Sequence, residues 1–268
     1  MVTLPLVTIE QTQGVTGDGS QSLQELVSLA LAKLGKVEGL GGVIAATFSN
    51  RERFPSLAVR VATKLGLPTT TPAFDLQMAC SAYPYAVYLA GRLSADTGKK
   101  ILVVNGDVQS TLVNKLDHAP GEIFSDAVSA SVISCDPMSE EKSRFAFLSR
   151  EDEALTCADV GPITMDGMKV FTFVATEVRE WLKDFLPLTA QFFVPHQANP
   201  YMVRQLAKSL ALSDRLLTLD ASVKNPGSCS IPLTLAENHE RIPADGAYAL
   251  IAGFGAGYSA SAGIVKVL

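Results

Sequence analysis

Short apolar runs alternate along the chain with segments that have the spacing of amphipathic helices, and this alternation restricts what the chain can fold into. Residues 41–48 (GGVIAATF) and 101–105 (ILVVN) are too apolar for a sheet edge and predict buried, parallel strands. Residues 22–33 and 56–65 have helical spacing, and Ser22 with Glu25 three residues later fits a capping box. The pattern predicts an α/β fold.

The alternation continues to the end of the chain. Further predicted strands are 4–9, 72–78, 190–194, 247–252 and 261–267, and further predicted helices are 83–94, 169–185, 200–212 and 230–239. A polar, charged stretch at 136–142 (DPMSEEK) marks the best seam between two halves, residues 1–136 and 137–268.

Composition narrows the function classes. Hydrophobic residues make up 47% of the 268 residues and charged residues 18%, which predicts a thick core, a subunit interface or both. A net charge of -5 argues against a nucleic-acid binder. Four cysteines without CxxC spacing favour reduced thiols in a cytoplasm over a metal site. Because we find neither a signal peptide nor a long apolar segment, we expect no secretion and no membrane span.

Cys80 stands where a predicted strand turns into a predicted helix, in the segment FDLQMACSA (residues 74–82). The N–H groups and dipole of a helix N-terminus favour an anion, so this position is expected to lower the thiol pKa and to make Cys80 a nucleophile. A cysteine in an apolar setting is also a common packing residue. Cys80 by itself therefore leaves both interpretations open.

Three other segments could contribute to chemistry. His196 ends an apolar strand in FFVPHQAN (residues 192–199), whereas His118 and His239 lie in surroundings typical of a surface. Asn225 lies in the turn KNPGSCS (residues 224–230), and GFGAG (residues 253–257) allows a close backbone approach. A buried histidine satisfied by its neighbours, an ordinary Asn-Pro-Gly turn and a tight hairpin explain the same residues without catalysis.

Taken together and in this order, the segments resemble the β-ketoacyl-acyl-carrier-protein synthase III family over nearly the whole chain. The shared motifs are DxxxAC ending at Cys80, FSDAVSA (124–130), MDG (165–167), PHQAN (195–199), the Asn-Pro-Gly-Ser turn and the closing GFGAG. The resemblance implies a thiolase-like five-layered αβαβα fold of two pseudo-duplicated halves. It also implies a buried helix behind Cys80, consistent with the uncharged residues 82–90 (AYPYAVYLA).

The resemblance further implies a condensing enzyme without a metal or organic cofactor. Cys80 would accept an acyl group from a thioester, and His196 and Asn225 would stabilise the enolate formed when malonyl-acyl-carrier protein loses carbon dioxide. The backbone N–H groups of Cys80 and Ala256 would form the oxyanion hole. Residues implied in substrate binding are Phe54, Gly167, Phe171 and Asn199, those implied in carrier-protein docking are Arg204 and Lys208, and the expected assembly is a homodimer or a heterodimer with another condensing-enzyme subunit.

Two departures concern the acyl donor. Family members usually carry a Trp and an Arg that grip the CoA adenine in a longer N-terminal part, and no such segment precedes Ser22. His118 falls where an arginine commonly helps to bind CoA. We therefore expect weak or rearranged CoA recognition, with a carrier protein as the alternative donor. An acyltransferase that forms an ester or amide without decarboxylation, and a non-catalytic partner subunit, remain alternative functions.

Overall fold

The computed structural model describes residues 1–114, 122–158, 161–187 and 189–268. Its strands are β1 (Val2–Thr16), β2 (Leu40–Ala46), β3 (Ala73–Leu76), β4 (Lys100–Asp107), β5 (Ala127–Asp136), β6 (Lys142–Ser149), β7 (Leu155–Cys157), β8 (Ile163–Met165), β9 (Phe192–Pro195), β10 (Ala247–Gly255) and β11 (Ser259–Val267). Its helices are α1 (Leu23–Leu34), α2 (Leu57–Lys64), α3 (Ala82–Thr97), α4 (Gly167–Phe173), α5 (Arg179–Leu182), α6 (Pro200–Ser209) and α7 (Ser230–Glu237). Within this part of the chain, no helix is both long and apolar enough to cross a bilayer.

Local signals in the sequence set several helix starts. Ser22 and Glu25 form the predicted capping box at the start of α1. Ser56 caps α2 by accepting the Val59 N–H, and Asn199 caps α6 by accepting the Met202 N–H. The predicted helix 169–185 is confirmed as α4 and α5 joined by one π-helical stretch, Val174–Val178.

The large sheet is built from two similar arrangements of strands. Its order is β3-β2-β4-β5-β1-β6-β11-β10-β9. In the first arrangement β2 lies parallel to β3 and β4, and β5 lies antiparallel to β4 and β1. In the second, β9 lies parallel to β10, and Phe193 of β9 also forms an isolated parallel bridge with Leu216. Strand β11 lies antiparallel to β10 and β6. The same topology occurs twice, which is the internal duplication of the predicted fold class.

Helix α3 lies between the two arrangements. It contacts β1, β2, β4 and β5 on one side and β10 and β11 on the other. Tyr83, Ala86, Val87 and Ala90 of this helix are fully buried, so the uncharged segment 82–90 is explained by contact with sheet on both faces. Helix α7 contacts β1, β5, β9 and β10 in the same central layer.

Strands β2 and β4 lie parallel, which confirms the prediction for residues 41–48 and 101–105. The sheet is nevertheless mixed, because β5 and β6 run antiparallel to all their neighbours in it. The first strand is also longer than the predicted 4–9, because β1 crosses from β5 to β6 and β11 and so joins the two arrangements. Strand β5 ends at Asp136, and the division into residues 1–136 and 137–268 stays a prediction.

Candidate active site

Cys80 lies in a strained turn between β3 and α3. Ala79 has a φ of +43°, a conformation that a residue with a side chain rarely adopts, and residues Ala79–Ser81 form a 3₁₀ turn that leads directly into α3. The turn is fixed by Ser81, whose Oγ donates to the Met78 carbonyl at 2.8 Å and whose carbonyl accepts the Ser261 Oγ–H at 2.6 Å. The backbone is therefore held in a shape that presents the Cys80 side chain at the start of the helix.

The closing glycine segment approaches this turn very closely. A Cβ placed on Gly255 would lie 3.1 Å from Cys80 Cβ, and one on Gly253 would lie 2.8 Å from the Cys80 carbonyl oxygen. Only glycine leaves room at these two positions of β10 for the Cys80 turn. The N–H groups of Ala256 and of Cys80 itself both interact with the Cys80 thiol in a way that favours its thiolate.

Burial nevertheless dominates the charge state of Cys80. Loss of hydration, followed by the negative charge of Asp107, raises the pKa of the Cys80 thiol to about 12, against the smaller opposite effects of the two N–H groups. The expectation that the helix N-terminus lowers this pKa was therefore wrong. At pH 7 a pKa of about 12 leaves a thiolate fraction of roughly 10⁻⁵, so the unacylated site holds a thiol.

Cys80 and Ala256 line a cavity of about 460 Å³. Its apolar walls come from Phe48, Met78, Phe124, Leu155, Ile163 and Tyr258. Residues from β7 and β8 form one side, and residues that follow β2 and precede β5 form another. The cavity therefore lies where both arrangements of strands meet, and it has the size and the largely apolar walls of a small-molecule site.

Arg150 lines the same cavity and fixes part of its wall. Its guanidinium lies 5.6 Å from the centre of the Phe173 ring and 5.2 Å from that of Tyr258, two rings that stack at 4.1 Å. Both terminal nitrogens of Arg150 donate to the carboxylate of Glu177. This pairing raises the pKa of Arg150 and lowers the pKa of Glu177, so the cation stays charged beside the cavity.

His196 is buried at the end of β9, with 2% of its surface exposed. Its backbone N–H donates to the Ala252 carbonyl at 2.7 Å, and its Nδ1 lies 2.7 Å from Ser230 Oγ. Burial lowers the pKa of His196 to about 4, although contact with the Gly227 backbone partly opposes this. The imidazole is therefore neutral at pH 7.

Asn225 is held by its own turn and by the chain before β5. Its backbone pairs with Ile123 and Ser125 on either side of Phe124, and its Oδ1 accepts the Gly227 N–H at 2.9 Å. Because Oδ1 is used within the turn, the Nδ2 group is the part of the side chain that can donate to a substrate.

Cys80, His196 and Asn225 are connected through neighbouring segments, although neither His196 nor Asn225 lines the Cys80 cavity itself. The Cys80 turn contacts the turn Gly227–Cys229, which Asn225 precedes. The His196 ring packs edge to face on Phe254, at 5.6 Å between ring centres, and Phe254 is flanked by the two glycines that touch the Cys80 turn. Three chain segments from both ends of the sequence thus converge behind one cavity.

Comparison with known proteins gives this convergence a family. Residues 74–151 match the family described as 3-oxoacyl-[acyl-carrier-protein] synthase III, and residues 187–267 match the C-terminal region of the same family. β-Ketoacyl-[acyl-carrier-protein] synthase III of Shewanella oneidensis is 30% identical over 267 residues, which is 91% of this chain and 82% of that protein. The chain belongs to the 3-oxoacyl-[acyl-carrier-protein] synthase III family.

Solved structures agree with this assignment at the level of the fold. The 3-oxoacyl-(acyl-carrier-protein) synthase of Burkholderia xenovorans aligns with a TM-score of 0.86 at 21% identity, over 99% of this chain and 95% of that one. The synthase III of Pseudomonas aeruginosa aligns with a TM-score of 0.85 at 23% identity, over 98% of both chains. The predicted family, thiolase-like fold and class of acyl-transferring condensing enzyme are thereby confirmed.

The other residues predicted for this synthase lie away from the cavity. Phe54 is 86% exposed, Gly167 is exposed at the first position of α4, and Phe171 stacks on Tyr201 at 6.2 Å. Asn199 caps α6, so its Oδ1 already has a partner. Arg204 and Lys208 lie exposed one turn apart on α6. His118 lies outside the described residues.

Sequence reasoning missed several residues at this site. Phe48, Gln109, Arg150, Cys157 and Tyr258 line the cavity, and none was predicted. The available signal was their place in the chain, since Phe48 and Gln109 each follow a buried strand at the end where α/β proteins carry their sites. Asp107 was also missed, although the same signal was available: it is a charged residue two positions beyond the apolar run 101–105, at the end of β4.

Proposed function

We propose that this synthase accepts an acyl group on Cys80 and joins it to malonyl-acyl-carrier protein with loss of carbon dioxide. The Cys80 sulfur attacks the donor thioester and releases the donor thiol. The malonyl carboxylate then leaves as carbon dioxide, and the resulting carbanion attacks the Cys80 thioester. A carbon–carbon bond forms, the carbon–sulfur bond breaks, and Cys80 leaves as a thiolate that takes up one proton from solvent to restore the thiol.

The surroundings of the Cys80 sulfur are the observation that carries this proposal. Two backbone N–H groups, from Cys80 and Ala256, face the sulfur at the mouth of an apolar cavity. N–H groups held there would stabilise the negative oxygen that develops when a thioester carbonyl bound to Cys80 is attacked. A largely apolar cavity strengthens such hydrogen bonds and suits a hydrocarbon acyl chain.

His196 and Asn225 supply the donors for decarboxylation in this proposal. The enolate left by loss of carbon dioxide carries its charge on the thioester oxygen, which therefore needs hydrogen-bond donors. His196 is neutral, and its Nδ1 lies 2.7 Å from Ser230 Oγ. The proposal assigns the tautomer in which Ser230 donates to Nδ1, so that the ring proton is on Nε2 and can be donated to the enolate. The Nδ2 group of Asn225 is the second donor, since its Oδ1 is occupied by Gly227.

These steps use proton transfers and carbonyl chemistry alone, so we infer that the enzyme works without a metal or organic cofactor. Among the described residues, no group of three or more His, Cys, Asp or Glu side chains is placed to hold a metal ion. All four cysteines are free thiols, which supports a reducing compartment such as the cytoplasm.

We further propose that acyl carrier protein is the partner that brings malonate. Arg204 and Lys208 offer two positive charges on one exposed face of α6, directly after the His196 segment. Carrier proteins of this kind are acidic, so this face suits them electrostatically.

A second copy of the chain is the partner we propose at the edge of the sheet. Within the described part of the chain, β3 is an edge strand that pairs with β2 alone. Phe54, Val59, Leu65 and Phe74 are exposed apolar side chains on or beside it. An unpaired edge next to exposed apolar groups is a ready site for strand pairing between subunits. Light scattering on the purified protein should give twice the mass of the chain, and a mass of one chain would contradict the homodimer.

Intact-protein mass spectrometry tests the loading step. The protein is incubated with matched series of acyl-CoA and acyl-carrier thioesters, and the mass gain identifies both donor and chain length. Cys80→Ala should show no gain. Cys229→Ala is the matched control, because Cys229 is also fully buried at a helix start with a pKa raised to about 12, and it should load normally. A mass gain in Cys80→Ala would refute the assignment.

The second half-reaction is measured by release of carbon dioxide from malonyl-carrier protein and by mass analysis of the product. His196→Ala should still load an acyl group while losing most decarboxylation. Equal loss of both steps would show that His196 instead activates Cys80. Formation of an ester or amide from hydroxyl or amine acceptors, without release of carbon dioxide, would replace the proposal by the non-decarboxylating acyltransferase.

A further inference from the structure

Asp107 is a fully buried carboxylate at the end of β4, and the proposed mechanism does not use it. It lies close enough to the Cys80 sulfur for its charge to raise the pKa of that thiol. An ionised carboxylate in this place opposes formation of the thiolate, so its presence needs another reason. Its hydrogen bonds supply that reason.

Two separate pieces of the chain donate to the Asp107 carboxylate. Oδ1 accepts the Phe48 N–H at 2.8 Å, the Ser49 N–H at 3.1 Å and the Thr47 Oγ–H at 2.9 Å, all from the loop that follows β2. Oδ2 accepts the Ser228 Oγ–H at 3.0 Å, from the turn that follows Asn225. One side chain of the first half of the chain therefore connects a wall of the cavity to the Asn225 turn of the second half.

The Asn225 turn depends on β4 for a second contact of the same kind. Gln109, two residues beyond Asp107, donates from Nε2 to the Asn225 carbonyl at 3.1 Å and to the Ser125 carbonyl at 2.8 Å. Gln109 holds the backbone of Asn225 itself, whereas Asp107 holds the turn three residues later. With both contacts the turn has little freedom to rotate about Asn225.

We propose that Asp107 is a positioning residue whose ionised carboxylate ties the Asn225 turn to the loop after β2 and so fixes the Asn225 amide relative to Cys80. The inference rests on the proposed role of Asn225 in decarboxylation. The carboxylate is surrounded by donors, two of them backbone N–H groups that cannot act as acceptors. Burial raises the pKa of Asp107, and the four hydrogen-bond donors act in the opposite direction. The proposal of an ionised carboxylate rests on the positions of these four donors.

The other titratable groups packed around the Cys80 turn carry no charge at neutral pH. His196 has its pKa lowered to about 4 and is neutral, and the thiol of Cys229, with a pKa of about 12, keeps its proton. The phenol of Tyr83 in α3 is also protonated, because burial raises its pKa. Arg150 and Asp152 also line the cavity, and so does Cys157, whose pKa is raised by burial and by the charge of Asp107. Removal of the Asp107 charge should therefore be visible in the titration of Cys80.

Two substitutions separate the effect of the Asp107–Ser228 hydrogen bond from the effect of the Asp107 charge. Ser228→Ala removes the hydrogen bond to the Asn225 turn and leaves the carboxylate in place. Asp107→Asn is nearly isosteric and removes the charge, while its amide can still donate to Ser228 Oγ. Asp126→Asn is the matched control, because Asp126 is equally buried and accepts two hydrogen bonds, both from Ser110, without contributing to the pKa of Cys80. Circular dichroism and a cooperative thermal transition check that each variant is folded.

Three measurements are made on each folded variant: acyl loading of Cys80, decarboxylation of malonyl-carrier protein, and the pH dependence of Cys80 alkylation by iodoacetamide. Ser228→Ala should load within about twofold of wild type and lose about tenfold in decarboxylation, the effect of freeing one buried hydrogen bond that fixes a reacting group. Asp107→Asn should move the alkylation profile to lower pH by about one unit or more. Asp126→Asn should change neither the rate of decarboxylation nor the alkylation profile.

A wild-type rate of decarboxylation in Ser228→Ala would refute the claim that Asp107 positions the Asn225 turn through Ser228. An unchanged alkylation profile in Asp107→Asn would refute the claim that the Asp107 carboxylate is ionised. A wild-type protein that loads Cys80 but does not decarboxylate malonyl-carrier protein would instead refute the proposed function, and that outcome is seen before any variant is made.

Discussion

Replacement of Gly253 by alanine should displace the Cys80 turn, because β10 and that turn are in direct backbone contact. The new Cβ would lie 2.8 Å from both the Cys80 carbonyl oxygen and Ser81 Cα. Ordinary contact begins at 3.4 Å, so the turn and the strand must separate by about 0.6 Å. Neither contact is a flexible side chain that could move aside. Gly253 does not have a positive φ, so alanine is compatible with the backbone and the effect is steric.

Overpacking of a rigid contact by one methyl group costs about 1 to 3 kcal/mol, so Gly253→Ala should lower the free energy of unfolding by that amount. A displacement of this size at the proposed oxyanion hole should also slow acyl loading by about tenfold or more. Urea unfolding gives the first quantity and the rate of mass gain gives the second.

Gly161→Ala is the control for this prediction. Its new Cβ would lie 3.6 Å from Ala158 Cβ, which is an ordinary contact. The control should therefore load Cys80 normally and unfold within about 0.5 kcal/mol of wild type. Wild-type stability and loading in Gly253→Ala would refute the argument that β10 fixes the position of Cys80.

Two further predictions concern stability. The pKa of His196 is lowered from 6.5 to about 4 on folding, so the native state binds fewer protons than the unfolded state between these values. The free energy of unfolding should therefore fall as the pH drops from 6.5 to 4, by about 3 kcal/mol in total, and this part of the loss should be absent from urea unfolding of His196→Asn. Ser22→Ala removes the cap of α1 and should cost about 1 kcal/mol in the same assay, whereas Ser20→Ala, which alters an exposed turn two residues earlier, should cost much less.

Helices and their starts were predictable because their signals are local. Ser22 with Glu25, Ser56 and Asn199 each cap a helix that begins at the next residue, and the capping hydrogen bonds reach only three residues along the chain. The strands β2, β4, β10 and β11 were recognised because they are buried on both faces and are apolar throughout.

Strand β5 was missed because its buried face carries serines. Ser129 and Ser131 are fully buried, and Ser131 Oγ interacts with Thr12 Oγ1 at 2.8 Å and with Tyr83 Oη at 3.0 Å. A serine counts as polar in a sequence pattern, whereas the Ser131 hydroxyl has hydrogen-bond partners 48 and 119 residues away along the chain. The predicted first strand was shorter than β1. The full length of β1 depends on partners distant in the sequence, since its two ends pair with different strands.

The motifs around Cys80, His196, Asn225 and Ala256 were enough to identify the family, because each is a short stretch of adjacent residues. The charge state of Cys80 was not predictable in the same way. The helix start next to Cys80 is a local feature and predicts a lowered pKa, whereas burial and Asp107, 27 positions along the chain, raise it to about 12. The net pKa of Cys80 depends on how much water the fold excludes from the thiol.

The sequence by itself therefore determined the α/β alternation, the helix caps and the family, and it supplied the residues that we propose bear the chemistry. All of these depend on neighbours within a few positions. Only the tertiary structure decided which side chains wall the cavity, that Asp107 lies beside both Cys80 and the Asn225 turn, and that Cys80 and His196 are both uncharged at neutral pH. The physical reason is that desolvation and contact between distant segments arise only when the chain has closed around the site.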